Sequence, residues 1–409
     1  RAEDLQGVAQ SASEGVVAGE RLASVPLLRP GEALEMVPGL IVTQHAGDGK
    51  ANQYFLRGFN LDHGTDFATT LAGVPLNMPT HAHGQGYTDL NVLIPELVQQ
   101  IRYRKGPYFA DEGDFASAGA AHIDYRRQLD EGLASLTLGA RGHVRTLLAD
   151  SAPHGDGHWL YGLELFHNDG PWTVPENLRK RNAVLRYSQG SALRGWSLTA
   201  MAYQSRWTST DQVPQRALAQ GLIGRFDSLD PSSGGQTARH SLAAEWADVD
   251  GGVQRKSQLW ALQSALDLWS NFSYQTRPEG DQFQQSERRQ AAGARHSRQG
   301  SGHGFGHEIG WRWGVQARTD QLAPVALYHS AQRVRLSTVR EDRVQQHSLG
   351  LWGEAQVAWR PWLRSVAGLR ADAQQAEVRS PLAANSGRAR DQRLSPKLSL
   401  VLGPWLGAE

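Results

Sequence analysis

Between Pro79 and Thr88 the chain reads Thr80-His81-Ala82-His83-Gly84-Gln85-Gly86-Tyr87. Two imidazoles two residues apart on an extended segment share one face. Such a pair is the beginning of a site for zinc, copper or nickel, or for a metal already held by a chelator. Tyr87 adds a ring able to stack on a ligand, and Gln85 adds an amide. Two glycines after a proline make the segment a loop, and binding groups concentrate on loops held by rigid scaffolds. The bland reading is that these imidazoles bond to nearby backbone and bind nothing. Spacing supplies no third ligand, although His45, His63 and His122 stand elsewhere in the chain.

Other clusters carry less. Asp111, Glu112 and Asp114 are carboxylates, but their spacing lacks the Gly-centred, Asp/Asn-rich pattern of a calcium loop, so a solvated loop is expected. Glu354 and Asp372 read as charges on the wet face of strands. No Ser/His/Asp order, phosphate loop or dinucleotide fingerprint stands out, so neither an enzyme nor a resident cofactor is expected. The 42 basic and 41 acidic residues nearly cancel, and no basic footprint argues for nucleic acid. With no cysteine there is neither a disulfide framework nor a thiolate metal site.

The elements that position these groups fall into two regions. All thirteen tryptophans lie beyond residue 158, in a region from 132 to 409 of alternating apolar and polar side chains. Over 309–317, Ile309, Trp311, Trp313 and Val315 share one face and Arg312 the other. Over 349–359, Leu349, Leu351, Val357 and Trp359 oppose Glu354. Leu136, Leu138 and Val144 share a face, as do Trp260, Leu262, Leu266 and Leu268, and Leu394, Leu398, Leu400 and Leu402. Period two means strands with one greasy and one wet side. Charges recur on the wet side. Connections alternate: 153–157, 190–193, 250–253, 298–303 and 360–361 are short, whereas 169–180, 207–236, 319–346 and 377–390 are long. That asymmetry belongs to outer-membrane barrels. Arg312 facing lipid at mid-depth would cost roughly 2–4 kcal/mol, so it should face a watery lumen, with Trp313 outward. About twelve strands are expected if 139–142 is a tight hairpin.

Residues 21–131 read as a separate α+β head. Pro30 opens a short helical run closed by Pro38-Gly39. Strands are expected at 40–45, 53–59, 67–75 and 98–104, and a helix at 88–94. Residues 1–20 read as a polar arm.

Five motifs of this head occur in a telling order: Glu32-Ala33-Leu34-Glu35-Met36-Val37-Pro38-Gly39-Leu40, Phe55-Leu56-Arg57-Gly58-Phe59, Leu71-Ala72-Gly73-Val74-Pro75-Leu76-Asn77, Ile94-Pro95-Glu96-Leu97-Val98 and Arg104-Lys105-Gly106-Pro107. Together they resemble the plug domain of TonB-dependent outer-membrane receptors. The resemblance implies a mainly β fold, with an α+β plug in a transmembrane barrel of about 22 strands. It implies outer-membrane lipid as surroundings, a small extracellular ligand such as a ferric siderophore or other metal chelate, and TonB as the energising partner. Arg57, Gly58, Gly106 and Pro107 would be structural positions of the plug, with Arg57-Gly58 ordering it against the wall. His81, His83, Gln85 and Tyr87 would face the ligand. Leu5, Gln6, Gly7, Val8 and Ala9 would be the segment that adds as a strand to TonB.

Two departures qualify the resemblance. The segment after Gly106-Pro107 is unusually acidic. Only about twelve strands are present where about 22 are expected, which reads as a truncated or split receptor. A signalling receptor without import, a truncated receptor without function, a passive channel and a soluble β-rich enzyme or lectin are the alternatives.

Overall fold

The computed structural model describes residues 13–403 apart from 45, 210, 274 and 275. The proposed TonB-contact residues Leu5, Gln6, Gly7, Val8 and Ala9 and the histidine at 45 lie outside the described residues.

Eight strands build the head: β1 (Glu14–Ala18), β2 (Leu40–Thr43), β3 (Gln53–Leu56), β4 (Phe59–Asn60), β5 (Phe67–Leu71), β6 (Val74–Pro75), β7 (Val98–Lys105) and β8 (Gly119–Tyr125). They form a sheet of order β1-β7-β8-β5-β6 and a smaller sheet β2-β3-β4. Among the described residues only β5 and β8 run parallel. Residues 14–18, expected in a free arm, instead pair with β7 from Glu14↔Arg104 to Ala18↔Gln100. Pro30–Met36 is a 3-10 helix whose Glu32 carboxylate accepts from the backbone N–H of Leu28 and Arg29.

The helix expected at 88–94 does not form. Asp89 accepts from both the backbone N–H and the side-chain amide of Asn91, a local turn that competes with helical bonding. Pro95 then bars the residue before it from helical backbone, and a 3-10 turn at Pro95–Leu97 is all that remains. The expected strand 53–59 breaks at Arg57 and Gly58, whose φ angles of 52° and 81° turn the chain into β4. Arg57 sits exposed on this turn.

The remaining twelve strands form a single antiparallel meander in which each pairs with the next. They are β9 (Leu133–Leu138), β10 (Val144–His154), β11 (Gly157–Asn168), β12 (Leu178–Gly190), β13 (Gly195–Thr208), β14 (Gly234–Asp250), β15 (Val253–Ser270), β16 (Phe283–Gly304), β17 (His307–Ala331), β18 (Val334–Arg360), β19 (Leu363–Arg379) and β20 (Gly387–Leu402). The sheet curls round the head but is open, with β9 and β20 at its edges. It is part of a barrel wall and the head is the plug.

The connections differ from expectation in three places, one of them the long connection 271–282 between β15 and β16, which was not expected. Residues 298–303 lie within β16, and the turn falls at Phe305-Gly306. The long loop expected at 319–346 is a continuous hairpin: β17 and β18 pair up to Ala331↔Val334 around Gln332 and Arg333, at φ 48° and 66°. Polar sequence on both faces resembles a loop, but here it is strand projecting past the membrane, for which about ten residues suffice.

Facing follows the alternation with one reversal. Trp313, Leu351, Trp359, Leu394, Leu398 and Leu400 are exposed outward, whereas Arg312 pairs inward with Glu354. Trp260 and Leu262, by contrast, are buried in the lumen in one cluster with plug residues such as Leu71, Leu76 and Leu90. Their strand presents Leu259 outward instead. Both faces of β15 are apolar there, because the plug offers the lumen side a dry surface.

Candidate functional site

Met78 and Tyr87 close the His81–His83 loop. The Met78 N–H donates to the Tyr87 carbonyl at 3.2 Å and Gly86 N–H to the Met78 carbonyl at 2.8 Å. The wall then grips the loop from β16. Ala82 N–H donates to Glu287 at 2.8 Å, Gln285 Nε2 donates to the Ala82 carbonyl at 2.8 Å, and Arg289 donates to the Thr80 carbonyl. Gln285 and Glu287 stand at the start of β16, next to the long connection 271–282. The loop therefore sits at the long-connection end of the lumen, the outer end of such barrels. Other plug apices reach the same end: Asp48 N–H donates to Glu176 of the 169–177 connection, and Lys50 pairs with Asp211 beyond β13. The plug exits at the opposite end, where Arg127 donates to the carbonyls of Gly190 and Trp196.

Within the loop the two expected imidazoles do not converge. His81 stacks on Tyr87, with ring centroids 4.1 Å apart and planes 10° from parallel. Its Nδ1 accepts from the His83 N–H. Tyr87 is buried and its hydroxyl accepts from Ala51 N–H at 2.9 Å, so its ring already has a partner in His81. Gln85 is exposed, with its carbonyl held by Thr65. The nitrogen that meets His83 belongs to His63, with Nε2 to Nε2 at 3.2 Å. Nothing in the spacing of residues 63 and 83 announces this pair; the turn at Gly64 and the hairpin β5–β6 bring them together. His122 is remote from it, bonded to Thr70 and Glu112. Burial lowers the pKa of the loop imidazoles His81 and His83, the latter to about 3, and of His63 beside them. They are neutral at physiological pH.

A second plug–wall contact lies deeper and overturns the expectation of a solvated acidic loop. Asp111 and Glu112 are buried. Arg104 bonds both, at 2.7 and 3.0 Å, His122 meets Glu112 at 2.8 Å, and Arg312 and Arg295 of the wall approach Asp111 at 3.3 and 3.5 Å. Burial alone would raise both carboxyls. Arg104 and Arg312 at Asp111, and His122 and Arg104 at Glu112, outweigh it and hold both below the usual range. Arg370 extends the seam by donating to the Ala110 carbonyl at 3.3 Å while pairing with Asp372. Nearby, Gly106 takes φ 86° and Lys397 donates to the Pro107 carbonyl. Charges recurring on the wet face of the strands were the sequence signal for this seam; their plug partners were not identifiable from it.

A plug held by an ion-paired seam inside an open antiparallel wall, with apices at one end, defines a plugged outer-membrane barrel. Residues 5–120 match the family model described as TonB-dependent Receptor Plug Domain. The head of this chain is such a domain, and the chain as a whole has the fold of a TonB-dependent outer-membrane receptor. Among solved structures it is similar to the copper transporter OprC, at 18% identity and TM-score 0.69, covering 97% of this chain and 60% of that one. It is also similar to the ferric citrate transporter FecA, at 12% identity and TM-score 0.73, covering 95% and 60%. A third is the ferric yersiniabactin uptake receptor FyuA from Yersinia pestis, at 14% identity and TM-score 0.70, covering 98% and 63%. The chain thus spans about 60% of the length of these structures.

Proposed function

We propose that this chain belongs to a receptor that takes up a scarce small ligand, a metal ion or metal chelate, from outside the cell, with TonB supplying the energy. The observation that carries this reading is the 79–87 loop. It lies on the plug at the outer end of the lumen, gripped by the wall through Gln285, Glu287 and Arg289. A ligand settling there would touch plug and wall at once. Pulling on the plug from the other end would break that joint contact and release the ligand inward. The ion-paired seam at Asp111 and Glu112 is the resistance such a pull has to overcome. A plug that fills the lumen disfavours a passive channel.

Uptake in energised and uncoupled cells tests this. Binding should survive loss of the proton gradient, and import should stop. Equal entry of ligand in both conditions would leave a passive channel instead.

A further inference from the structure

We infer that the lipid-facing side of β12–β17 holds one phosphorylated lipid of the outer leaflet. Arg179, Arg181 and Arg206 take its phosphates, and an alanine-floored trough beneath them takes its chains.

Arg179 of β12 and Arg206 of β13 stand directly opposite one another. Both side chains point outward, since Lys180, Ser205 and Trp207 beside them are buried on the lumen side. Arg181 lies two residues along on the same face, and all three arginines are exposed. Like charges directly opposite on a sheet destabilise it. Among the described residues no carboxylate pairs with any of the three. The acids on this face are engaged elsewhere. Asp267 takes Arg288 at 2.7 Å and Ser286 at 2.7 Å, and Asp169 faces His167 at 3.3 Å. Arg179 Nε donates to the Asn177 amide oxygen at 3.1 Å, a neutral partner that leaves the charge uncompensated. A phosphate relieves the repulsion, because its oxygens can accept from several guanidinium forks at once.

The cluster lies at headgroup depth. Tyr187 and Trp196 pack with ring centroids 5.1 Å apart near the inner turn, on the outward face, as an interfacial aromatic girdle does. Arg206 lies about ten residues along β13 from Trp196, the length of a membrane crossing.

Between these levels the wall is hollowed. Ala183 pairs with Ala202, and one row of cross-strand partners runs Leu185, Ala200, Leu242, Ala261, Ala292. The alanines floor an open trough of about 830 Å³, and Leu185 and Leu242 stand exposed beside them. Val184, Met201, Leu262 and Ala291, on the other face, belong to the core shared with the plug, so the trough opens to lipid and not to the lumen. Exposed His240, Gln263, Gln290 and Gln321 cross it in direct register. Polar side chains facing hydrocarbon are costly unless bonded. The ester, amide and hydroxyl groups that join a lipid's chains to its headgroup supply those bonds just below the phosphates. A second copy of this chain fits poorly, since a two-fold contact would set arginines against arginines. A free anion would leave the trough unused.

The test uses the purified full-length protein in detergent and native mass spectrometry. The probes are bis-phosphorylated lipid A, its dephosphorylated form and phosphatidylethanolamine. One bis-phosphorylated molecule should stay bound under conditions that strip the other two. Arg179→Gln with Arg206→Gln should weaken its binding about thirtyfold, at roughly fivefold per charge. Ala261→Trp fills the trough from a lipid-facing position and should weaken it too, with inorganic pyrophosphate binding unchanged. Arg194→Gln, at an exposed arginine of the inner turn, should bind as wild type. A lipid-free melt equal to that of the wild type shows that each variant is folded. Equal retention of the phosphorylated and dephosphorylated probes, or wild-type binding by the double arginine variant, would overturn the site. Pyrophosphate bound as tightly as the lipid, or Ala261→Trp without effect, would overturn the lipid and leave an anion site. A lipid-free dimer that the arginine variant breaks would give the face to a second copy. None of these measurements involves transport, so this site and the uptake reading stand or fall separately.

Discussion

Asp111 is the residue on which most of the plug–wall seam converges. It faces Arg104 of the plug and Arg295 and Arg312 of the wall. Removing one partner of a buried ionic group leaves the others uncompensated, typically at about 3–5 kcal/mol. Glu112 and Glu354 remain to share the guanidiniums, so Asp111→Asn should fall at the low end of that range. The expected outcome is a lower plug melting temperature and faster proteolysis between Arg104 and Ala118, with the wall intact. An unchanged melt would mean that the seam does not hold the plug. Glu176 makes a different point. Burial, and then the charge of Asp48, push its carboxyl up from 4.5 to about 7. A carboxyl with a raised folded pKa holds its proton more tightly when folded. Its stabilisation is complete below about pH 4.5 and is lost as pH rises through about 7. The seam between Asp48 and the 169–177 connection should thus tighten on mild acidification, by up to about 3 kcal/mol. Melting followed between about pH 5 and pH 8 should show this slope in the wild type and lose it in Glu176→Gln.

At the scale of elements, the β17–β18 hairpin was the least legible feature. Its tip is tied down by Arg333, which donates to the carbonyls of Ser232 at 2.7 Å, Ser233 at 3.1 Å and Trp207 at 3.3 Å. These bonds join the hairpin to the 209–233 connection. Arg333→Ala should loosen both together, seen as faster amide exchange at Ser233 and in the hairpin tip, with exchange in the lower half of β17 unchanged. Exchange that rises in the hairpin alone would show that the two segments are independent. The 88–94 segment shows the opposite error. Leu90, Leu93 and Ile94 suggest a helical stripe and are all fully buried, but they are buried from irregular backbone. Asp89 and Asn91 bend the chain locally, and Pro95 stops any helix from passing.

For the whole molecule, the facing of the wall decides how it meets lipid. Trp313 is exposed on the outside, and Arg312 is bonded inside to Glu354 at 2.8 Å. A spin label at position 313 of the full-length protein in a bilayer should be quenched by a lipid-soluble reagent, and one at 312 should not. The reverse result would mean a one-residue slip of register, which moves every side chain of a strand to the other face.

The order of the plug motifs, the alternation of the strands and the alternating length of most connections were legible in the sequence. Each is a local property: period two, a turn residue, a short run of fixed type. From them follow the mainly β fold, the plug and the approximate number of strands. The tertiary structure decided what depends on distant parts meeting. It turned Trp260 and Leu262 inward, because an apolar plug dries that part of the lumen and alternation alone cannot say which side is dry. It buried Asp111 and Glu112, because Arg104 and His122 of the plug fold against them and Arg312, some two hundred residues further along the chain, closes over Asp111 from the wall. It also exchanged His81 for His63 as the partner of His83. Spacing within one loop places side chains on a face, but convergence of two nitrogens needs a second backbone segment, and its path is set by the packing of the plug.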